Sequence, residues 1–237
     1  MRVALIGYGK MGQAIEKVLI ERGHSVPFAI SIDNPEDLNK ITTETTDVAI
    51  EFTAPEAAFS NIMSCLKNGV PVVSGSTGWL DNFKEVENYC TVNKTGFFYA
   101  SNYSLGVNIF FQLNKILAKM MNGRGYETGM VEVHHTQKLD SPSGTAITLA
   151  EGMIEGLSDK SGWVNSKATN ASDISIISER TENVPGTHII EYESEIDKIR
   201  IEHIAHNRKG FALGAVLAAE FLAGKAGVYS MDDLLKF

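Results

Sequence analysis

Short apolar runs alternate with segments of helical periodicity along the first part of the chain, and this alternation constrains the fold more than any other feature. Val3 to Ile6 is a continuous apolar run, typical of a strand that is buried on both faces. Comparable runs follow at residues 26–32, 47–52, 70–73 and 97–99. Strands that alternate with helices form parallel β-α-β units. Ligands of such sheets bind at the carboxyl ends of the strands.

The composition is that of a globular protein with no electrostatic attraction for polyanions. The chain has 237 residues, 43% of them hydrophobic, which suits one large domain or two small ones. Its formal net charge is -8, so neither nucleic acid nor a membrane is expected as a partner. Cys65 and Cys90 show no C-x-x-C spacing, and no apolar run reaches the length of about 18 residues that a membrane helix needs. We expect a cytoplasmic protein with two inert thiols.

The pattern changes after Asn102, which predicts a second domain. Residues 107–121 have the periodicity of one long amphipathic helix, and residues 144–157 predict another. Alternating segments at 131–133, 174–178, 186–194 and 198–205 favour an antiparallel sheet, and the polar stretch 158–175 favours a surface loop. We therefore predict an α/β chain. Its Rossmann-type domain covers residues 1–104 and is completed by 214–237; an α+β domain with a mixed or antiparallel sheet covers 105–213.

A glycine-rich turn follows the first strand and opens the first helix. Gly7 permits the tight turn, Gly9 lets the backbone approach a pyrophosphate, and Gly12 lets helix and strand pack closely. The helix N-terminus then offers free N–H groups to the phosphates. Asp33 closes the second predicted strand 21 positions after Gly12, where a carboxylate can accept the ribose hydroxyls of NAD. Because Asn34-Pro35 follows, Asp33 is alternatively a turn residue.

The same acidic residue bears on the choice of cofactor. A 2′-phosphate would meet the charge of Asp33, so NADH is favoured over NADPH, although Lys10 could reach that phosphate. Two further loops, residues 52–55 and 75–78, follow strands at the edge where the fold places the nicotinamide. Their small and hydroxyl side chains are suited to the ribose and carboxamide, although either loop could be an ordinary turn.

The densest polar segment of the chain runs from Glu132 to Ala146. His134 and His135 are adjacent on a predicted strand, so they point to opposite faces and have different roles. Lys138 adds a positive charge, and residues 143–145 open a helix whose N–H groups and hydroxyls suit an anion. Together they predict a carboxylate pocket with a general acid beside it. A structural capping segment is the alternative. A metal pair lacks a cysteine or a third spaced histidine, so no metal is expected.

This segment resembles the signature of the 4-hydroxy-tetrahydrodipicolinate reductase family, also called dihydrodipicolinate reductases. The matching pattern is Glu132-x-His134-His135-x-x-Lys138-x-Asp140-x-Pro142-Ser143-Gly144-Thr145-Ala146. Similarity extends along most of the chain, at residues 9–12, 47–55, 75–78 and 100–108, at Arg180 and at Gly186-Thr187-His188. The glycine loop, which reads Gly-Tyr-Gly-Lys-Met-Gly, and Glu182, where the family often has glycine, depart from the pattern.

The resemblance implies an NAD(P)H-dependent reductase of lysine and diaminopimelate biosynthesis. It would reduce the dihydrodipicolinate formed from 4-hydroxy-tetrahydrodipicolinate to tetrahydrodipicolinate, and the family is usually a homotetramer assembled through the sheet of the second, substrate-binding domain. His134 would be the acid/base residue and Lys138 the proton donor and a carboxylate ligand. The predicted substrate-binding residues are His135, Lys138, Ser143, Gly144 and Thr145. The predicted cofactor-binding residues are Gly7, Tyr8, Gly9, Lys10, Met11, Gly12, Asp33, Phe52, Thr53, Gly75, Ser76, Thr77, Ala100, Ser101, Asn102 and Tyr103.

Two alternatives remain at this point. One is another small two-domain NAD-dependent dehydrogenase, for example one that acts on an amino acid. The other is a non-catalytic NAD-binding sensor, which would not need His134, Lys138 and the anion-binding turn on one segment. Which of His134 and Lys138 gives the final proton is open in the sequence.

Overall fold

The chain divides by its internal packing into two units. The structure is a computed structural model that describes residues 1–207 and 209–237. The first unit consists of Met1–Leu105 and Lys209–Phe237, and the second of Gly106–Arg208. No helix in these described ranges is both long enough and apolar enough to cross a bilayer.

The first unit is built on a six-stranded parallel sheet. Its strands lie in the order β11-β5-β4-β3-β1-β2. The strands are β1 (Val3–Ile6), β2 (Ala29–Ile30), β3 (Val48–Glu51), β4 (Val72–Ser74), β5 (Gly96–Tyr99) and β11 (Gly227–Tyr229). The helices are α1 (Lys10–Glu21), α2 (Pro55–Lys67), α3 (Phe83–Asn93), α6 (Lys209–Leu222) and α7 (Met231–Leu235).

Helices cover both faces of this sheet, as the continuous apolar runs predict. Val3 and Leu5 pack on one face against α1 and α6, while Ala4 and Ile6 pack on the other with α2. All four β1 side chains are buried, because successive strand residues point to opposite sides. The Rossmann-type fold predicted from the sequence is therefore confirmed.

One predicted strand of the first unit is wrong in extent. The run 26–32 forms a strand only at Ala29–Ile30. Pro27 interrupts it, because proline has no N–H to donate to a strand ladder. The last residues of the chain form β11, which pairs in parallel with β5, and α7, which begins with a capping box of Ser230 and Asp233. The C-terminus thus supplies an edge strand of the first sheet.

The second unit has a five-stranded mixed sheet in the order β10-β9-β6-β8-β7. Its strands are β6 (Glu127–His134), β7 (Gly162–Val164), β8 (Asp173–Arg180), β9 (Thr187–Glu193) and β10 (Lys198–Ile204). Its helices are α4 (Leu105–Met121) and α5 (Gly144–Ile154). Met130, Ile176 and Ile190 lie on the buried face, in one hydrophobic core with residues of both helices.

The strand pairing decides between the two predicted sheet types, because the sheet is mixed and not purely antiparallel. Strand β6 is antiparallel to β9 but parallel to β8, because a helix, α5, lies in the connection from β6 to β8. Strand β7, which pairs in parallel with β8, falls in the stretch that the sequence predicted as a loop. Three residues, Gly162 to Val164, are too few to show a period.

We predict that Gly214 of α6 admits no side chain. A Cβ there would lie 1.7 Å from the carbonyl oxygen of Tyr103, so the helix would have to move. Gly214→Ala should lower the free energy of unfolding by about 1–3 kcal/mol, the usual cost of overpacking. Gly210→Ala in the same helix is the control, because its nearest contact is 3.6 Å away. Urea unfolding curves measure both, and equal effects would contradict the steric argument.

Candidate active site

The glycine turn between β1 and α1 has the geometry of a phosphate-binding loop. A Cβ on Gly7 would lie 1.9 Å from the carbonyl oxygen of Phe52, and one on Gly12 would lie 2.3 Å from that of Gly7. Around Gly9, by contrast, no atom of the described residues lies within 4 Å of the Cβ position. Two glycines therefore close the loop on its own backbone, and the middle one leaves space for a ligand. These features fit a dinucleotide.

Two cavities, of about 440 and about 570 Å³, lie beside the two predicted sites, one at each site. The larger cavity adjoins the glycine turn. This cavity, of about 570 Å³, is lined by Gly7, Tyr8, Gly9, Asp33 and Thr53 among others. The N-cap of α1 is Gly9, which has no side chain to accept from the first N–H groups of the helix, so these groups are available to a phosphate. The structure thus brings together the glycine turn, the acidic residue and one strand-end loop, which lie apart in the sequence.

The two strand-end loops pack on each other at the same edge of the sheet. The backbone N–H of Thr53 donates to Ser76 Oγ at 2.8 Å, and a Cβ on Gly75 would lie 2.1 Å from the Phe52 ring. The Phe52 and Tyr103 ring centroids are 5.6 Å apart, and the Tyr103 hydroxyl donates to the carbonyl of Ser74 at 2.6 Å. The remaining predicted cofactor residues lie in the first turn of α1 or just after β4 and β5: Lys10, Met11, Thr77, Ala100, Ser101 and Asn102.

The centre of the predicted substrate site is a buried carboxylate. Glu132 is 0% exposed, and its Oε2 lies 2.5 Å from Nδ1 of His134, two residues further along β6. Its Oε1 accepts a hydrogen bond from Nη1 of Arg180 on β8 at 3.2 Å and from the backbone N–H of Ser143 at 3.3 Å. Burial opposes ionisation, but the contacts with His134, Ser178 and Ser143 outweigh it and lower the pKa of Glu132 to about 2. The group is an anion at neutral pH.

A second histidine lies behind the first. His188 of β9 has its ring centroid 5.1 Å from that of His134, and its Nε2 lies 3.2 Å from Ser143 Oγ. Burial, with the neighbouring His134 as the next cause, lowers the pKa of His188 to about 3. His188 is therefore neutral at physiological pH, and it fixes the Ser143 side chain without adding charge.

Ser143 also begins helix α5. Its side chain accepts a hydrogen bond from the N–H of Ala146 at 3.1 Å, which makes it the N-cap. Gly144 and Thr145 lie in the first turn of this helix, where the positive end of the helix dipole favours an anion. The helix start predicted from the sequence is present, and its anion-binding role stays a prediction.

Lys138 and His135 lie on the exposed side of the same segment. Nζ of Lys138 is 2.8 Å from Asp140 Oδ1, and its side chain is 22% exposed. His135 lines a cavity of about 440 Å³ together with Thr136, Gln137, Glu182 and Pro185 among others. His134 is buried with Glu132 and does not line that cavity, so the two adjacent histidines point to different sides.

Tertiary contacts supply the third ligand that the sequence lacked for a metal site. Ligand atoms of Glu132, His134 and His188 all lie within 4.8 Å of one another. The arrangement of Glu132 and His134 nevertheless suits an ion pair better than two ligands of one metal ion. Two donors on one tetrahedral ion, each bonded at about 2.1 Å, would be roughly 3.4 Å apart, whereas Nδ1 of His134 and Oε2 of Glu132 are 2.5 Å apart. The Arg180 cation on the same carboxylate also opposes a second cation. The absence of a metal stays a prediction.

Three side chains of this buried cluster, Glu132, Arg180 and His188, received no role in the sequence prediction. Glu132 had a usable signal, because residues two apart on a strand share a face. Arg180 and His188 matched the family only as isolated positions, and no local spacing connects them to His134. Strand pairing does so: Arg180 pairs directly with His134 across β8 and β6, and His188 pairs with Glu132 across β9 and β6.

Comparisons with known proteins agree across the whole chain. The family model described as dihydrodipicolinate reductase, N-terminus, matches residues 1–103, and that described as dihydrodipicolinate reductase, C-terminus, matches residues 106–235. A 4-hydroxy-tetrahydrodipicolinate reductase of Christiangramia forsetii is 51% identical over 237 residues, which cover 99% of this chain and 98% of that protein.

Solved structures give the same result for the fold. A dipicolinate-bound dihydrodipicolinate reductase from Paenisporosarcina sp. TG-14 superposes with a TM-score of 0.79 at 25% identity, covering 98% of both chains. An amine dehydrogenase from Mycobacterium smegmatis superposes with a TM-score of 0.62 at 12% identity, covering 96% of this chain and 94% of that one. The second likeness concerns the fold alone.

We predict that His188 makes stability depend on pH. Its pKa of about 3 in the folded chain lies below its ordinary value of 6.5, so the unfolded chain binds the proton first as the pH falls. The stabilisation is complete above pH 6.5 and is lost progressively toward pH 3. His188→Gln should therefore flatten the decline of the free energy of unfolding between pH 6.5 and 5, by up to about 1.4 kcal/mol per pH unit.

Denaturant unfolding at several pH values measures this slope. His206→Gln, at an exposed histidine of the same unit, is the control and should leave it unchanged. An identical slope in His188→Gln and the unsubstituted protein would show that His188 is not held neutral by burial.

Proposed function

The chain belongs to the dihydrodipicolinate reductase family, and on that premise we propose that it reduces the dihydrodipicolinate formed from 4-hydroxy-tetrahydrodipicolinate to tetrahydrodipicolinate, in lysine and diaminopimelate biosynthesis. It is an NAD(P)H-dependent oxidoreductase. The observation that carries the assignment of residues is that Glu132, His134, Lys138 and the first turn of α5 lie on one continuous segment of the second unit. A non-catalytic NAD-binding sensor would need no acid/base pair on this segment.

The first unit binds the cofactor. When bound, NADH or NADPH supplies the hydride that reduces the substrate ring. The glycine turn and the free N–H groups of α1 hold the pyrophosphate, and Asp33 accepts the ribose hydroxyls. The loops that contain Thr53 and Ser76 orient the nicotinamide end, since they lie at the carboxyl ends of β3 and β4.

The second unit binds the dicarboxylate and supplies the proton. The N–H groups of Gly144 and Thr145 receive one carboxylate at the start of α5. Lys138 exchanges its partner Asp140 for a substrate carboxylate, forming a charge-assisted hydrogen bond in its place. These groups fix the substrate before reduction, so the position that gains negative charge lies beside an acid.

His134 is suited to be that acid. Its Nδ1 is held by Glu132, which leaves Nε2 as the ring nitrogen that can deliver a proton. Gly186 lies against this atom, because a Cβ there would be 3.0 Å from Nε2. A side chain at Gly186 would crowd the approach of a substrate, whereas glycine leaves it open.

We also propose that NADH is preferred. Asp33 is exposed at the cofactor cavity, and the described residues that line this cavity include no lysine or arginine that could bind a 2′-phosphate. A carboxylate that accepts two ribose hydroxyls repels the additional phosphate of NADPH. Lys10, exposed in the first turn of α1, is the nearest candidate in sequence to offset that repulsion.

A homotetramer assembled through the second sheet and a cytoplasmic location complete the proposal. The face of this sheet opposite α4 and α5 carries an apolar row, since Ile177 pairs with Val131 and Val131 with Ile189 across three strands. Ile177 is 37% exposed in the single chain. Burial of this row favours association. A monomer in sedimentation velocity would contradict the proposed tetramer.

The cytoplasm is where NADH and NADPH are supplied to biosynthetic reductases.

Substitutions of the two proposed proton-handling residues test the reaction. We expect His134→Gln to lower kcat by about 10²-fold or more with little change in KM, the scale of general acid catalysis. Lys138→Ala should lower kcat and also raise KM for the substrate, because a charged partner is lost. Loss of NADH absorbance with synthase-generated substrate measures both, and NADH affinity should stay unchanged. Normal kcat together with lost NADH binding would contradict the assignment.

The cofactor preference is tested at Asp33. We expect Asp33→Ala to weaken the use of NADH more than that of NADPH, because the ribose contact is lost in one case and a repulsion is removed in the other. Asp81→Ala, on the turn before α3, is a matched control and should change neither. Steady-state kinetic constants, measured with NADH and with NADPH, test this prediction. An equal loss of activity with both cofactors would exclude Asp33 as the determinant of cofactor preference.

A further inference from the structure

Glu51, the last residue of β3, is a buried acid that no part of the reaction described above uses. It is 0% exposed. Its Oε1 accepts hydrogen bonds from the backbone N–H of Thr53 at 2.9 Å, from Thr53 Oγ1 at 2.5 Å and from Ser76 Oγ at 2.8 Å. Its Oε2 accepts one from Ser74 Oγ at 2.7 Å. The carboxylate thus joins the loop after β3 to the end of β4 and the loop that follows it.

This acid differs from Glu132 in having no cationic partner. Among the described residues, Glu132 has both Arg180 and His134 at ion-pair distance, whereas no lysine, arginine or histidine forms an ion pair with Glu51. Buried charges are normally paired. Four hydrogen-bond donors satisfy the carboxylate oxygens of Glu51. Because none of these donors is a cation, the negative charge of the carboxylate is not compensated.

The negative charge of Glu51 affects the pKa values of neighbouring side chains. Burial chiefly, and then the charge of Glu51, raises the pKa of the Cys65 thiol to about 12. Burial likewise raises the pKa of Tyr103 well above its ordinary value, and Glu51 contributes in the same direction. The Tyr103 hydroxyl donates to the carbonyl of Ser74, so this residue belongs to the same strand-end cluster.

The position of Glu51 connects this charge to the cofactor. It ends β3, and Ser74 ends the adjacent β4, at the sheet edge where parallel α/β folds bind dinucleotides. Thr53, which Glu51 holds, lines the cavity beside Gly7 and Gly9. The nicotinamide changes charge during the reaction: when a hydride leaves with both bonding electrons, the neutral reduced ring becomes a cation.

We propose that Glu51 places an uncompensated negative charge beneath the nicotinamide end of the cofactor site, where it favours the oxidised, cationic ring over the reduced, neutral one. This inference rests on the proposed function. Glu51 is a positioning residue that acts through the field of its carboxylate and through the two loops it joins. By stabilising the cation that hydride transfer leaves behind, the buried acid assists the release of hydride.

The size of the effect follows from Coulomb's law. At an effective dielectric constant of about 20, unit charges roughly 12 Å apart change an equilibrium by about tenfold. Glu51→Gln keeps the shape of the side chain and removes the charge. We expect its affinity for NAD⁺ to fall about tenfold relative to its affinity for NADH. A purely structural role would weaken the two affinities equally.

Isothermal titration of the full chain with NAD⁺ and with NADH, in the absence of substrate, gives the ratio of the two dissociation constants. Ser74→Ala is the matched control, because it removes a donor to the same carboxylate and keeps the charge. Its ratio should equal that of the unsubstituted chain even if both affinities decrease. A ratio in Glu51→Gln within twofold of the unsubstituted one would overturn the proposal.

A second variant covers the case in which Glu51→Gln does not fold. Glu51→Met combined with Ser74→Ala removes the charge together with the hydroxyl that faces Oε2, which avoids leaving that hydroxyl without an acceptor. We expect the same change in the ratio of the dissociation constants for NAD⁺ and NADH as in Glu51→Gln. An unchanged ratio would overturn the proposal. If the unsubstituted chain bound neither NAD⁺ nor NADH, the cofactor site of the proposed function would itself be wrong, a different result from an unchanged ratio.

Discussion

The buried carboxylate of Glu132 is the contact on which the organisation of the second unit depends. It joins β6, on which it lies, to Arg180 at the end of β8 and to Ser143 at the start of α5. One anion thereby contacts His134, the start of the helix and the end of the parallel strand pair. An isolated buried charge would be costly, and the three partners are what make it stable. The site is assembled by the same contacts that complete the fold.

The two units use buried acids in two different ways. Glu132 shares its charge with His134 and Arg180, so its neighbourhood is close to electrically balanced and suits a group that gives and regains a proton. Glu51 is surrounded by hydroxyls and one backbone N–H, so its charge remains. A balanced acid orients a proton donor, whereas an unbalanced one acts on a ring that becomes a cation. Each arrangement thus suits the chemistry proposed for its own unit.

Sequence patterns were reliable where one local constraint excludes the alternatives. The glycine turn is an example, because a Cβ on Gly7 or Gly12 would collide with backbone. The patterns were weak where pairing between segments that are distant in the chain determines whether a strand forms. Strand β7 is three residues long and exists because β8 lies beside it, and β11 exists because the last segment reaches the free edge of β5. No periodicity within such short segments could have revealed them.

The sequence by itself determined the parallel sheet of the first unit, the glycine turn after its first strand, the family and the segment that carries His134 and Lys138. Each follows from residues that are close in the chain, so that spacing and residue type suffice. Only the tertiary structure decided the partners of these residues: His188 and Arg180 reach the site across strand pairs, and Glu51 meets Ser74 and Ser76 from the neighbouring strand and its loop. The physical reason is that burial and charge compensation depend on every group around an atom. Most of those groups come from distant parts of the chain.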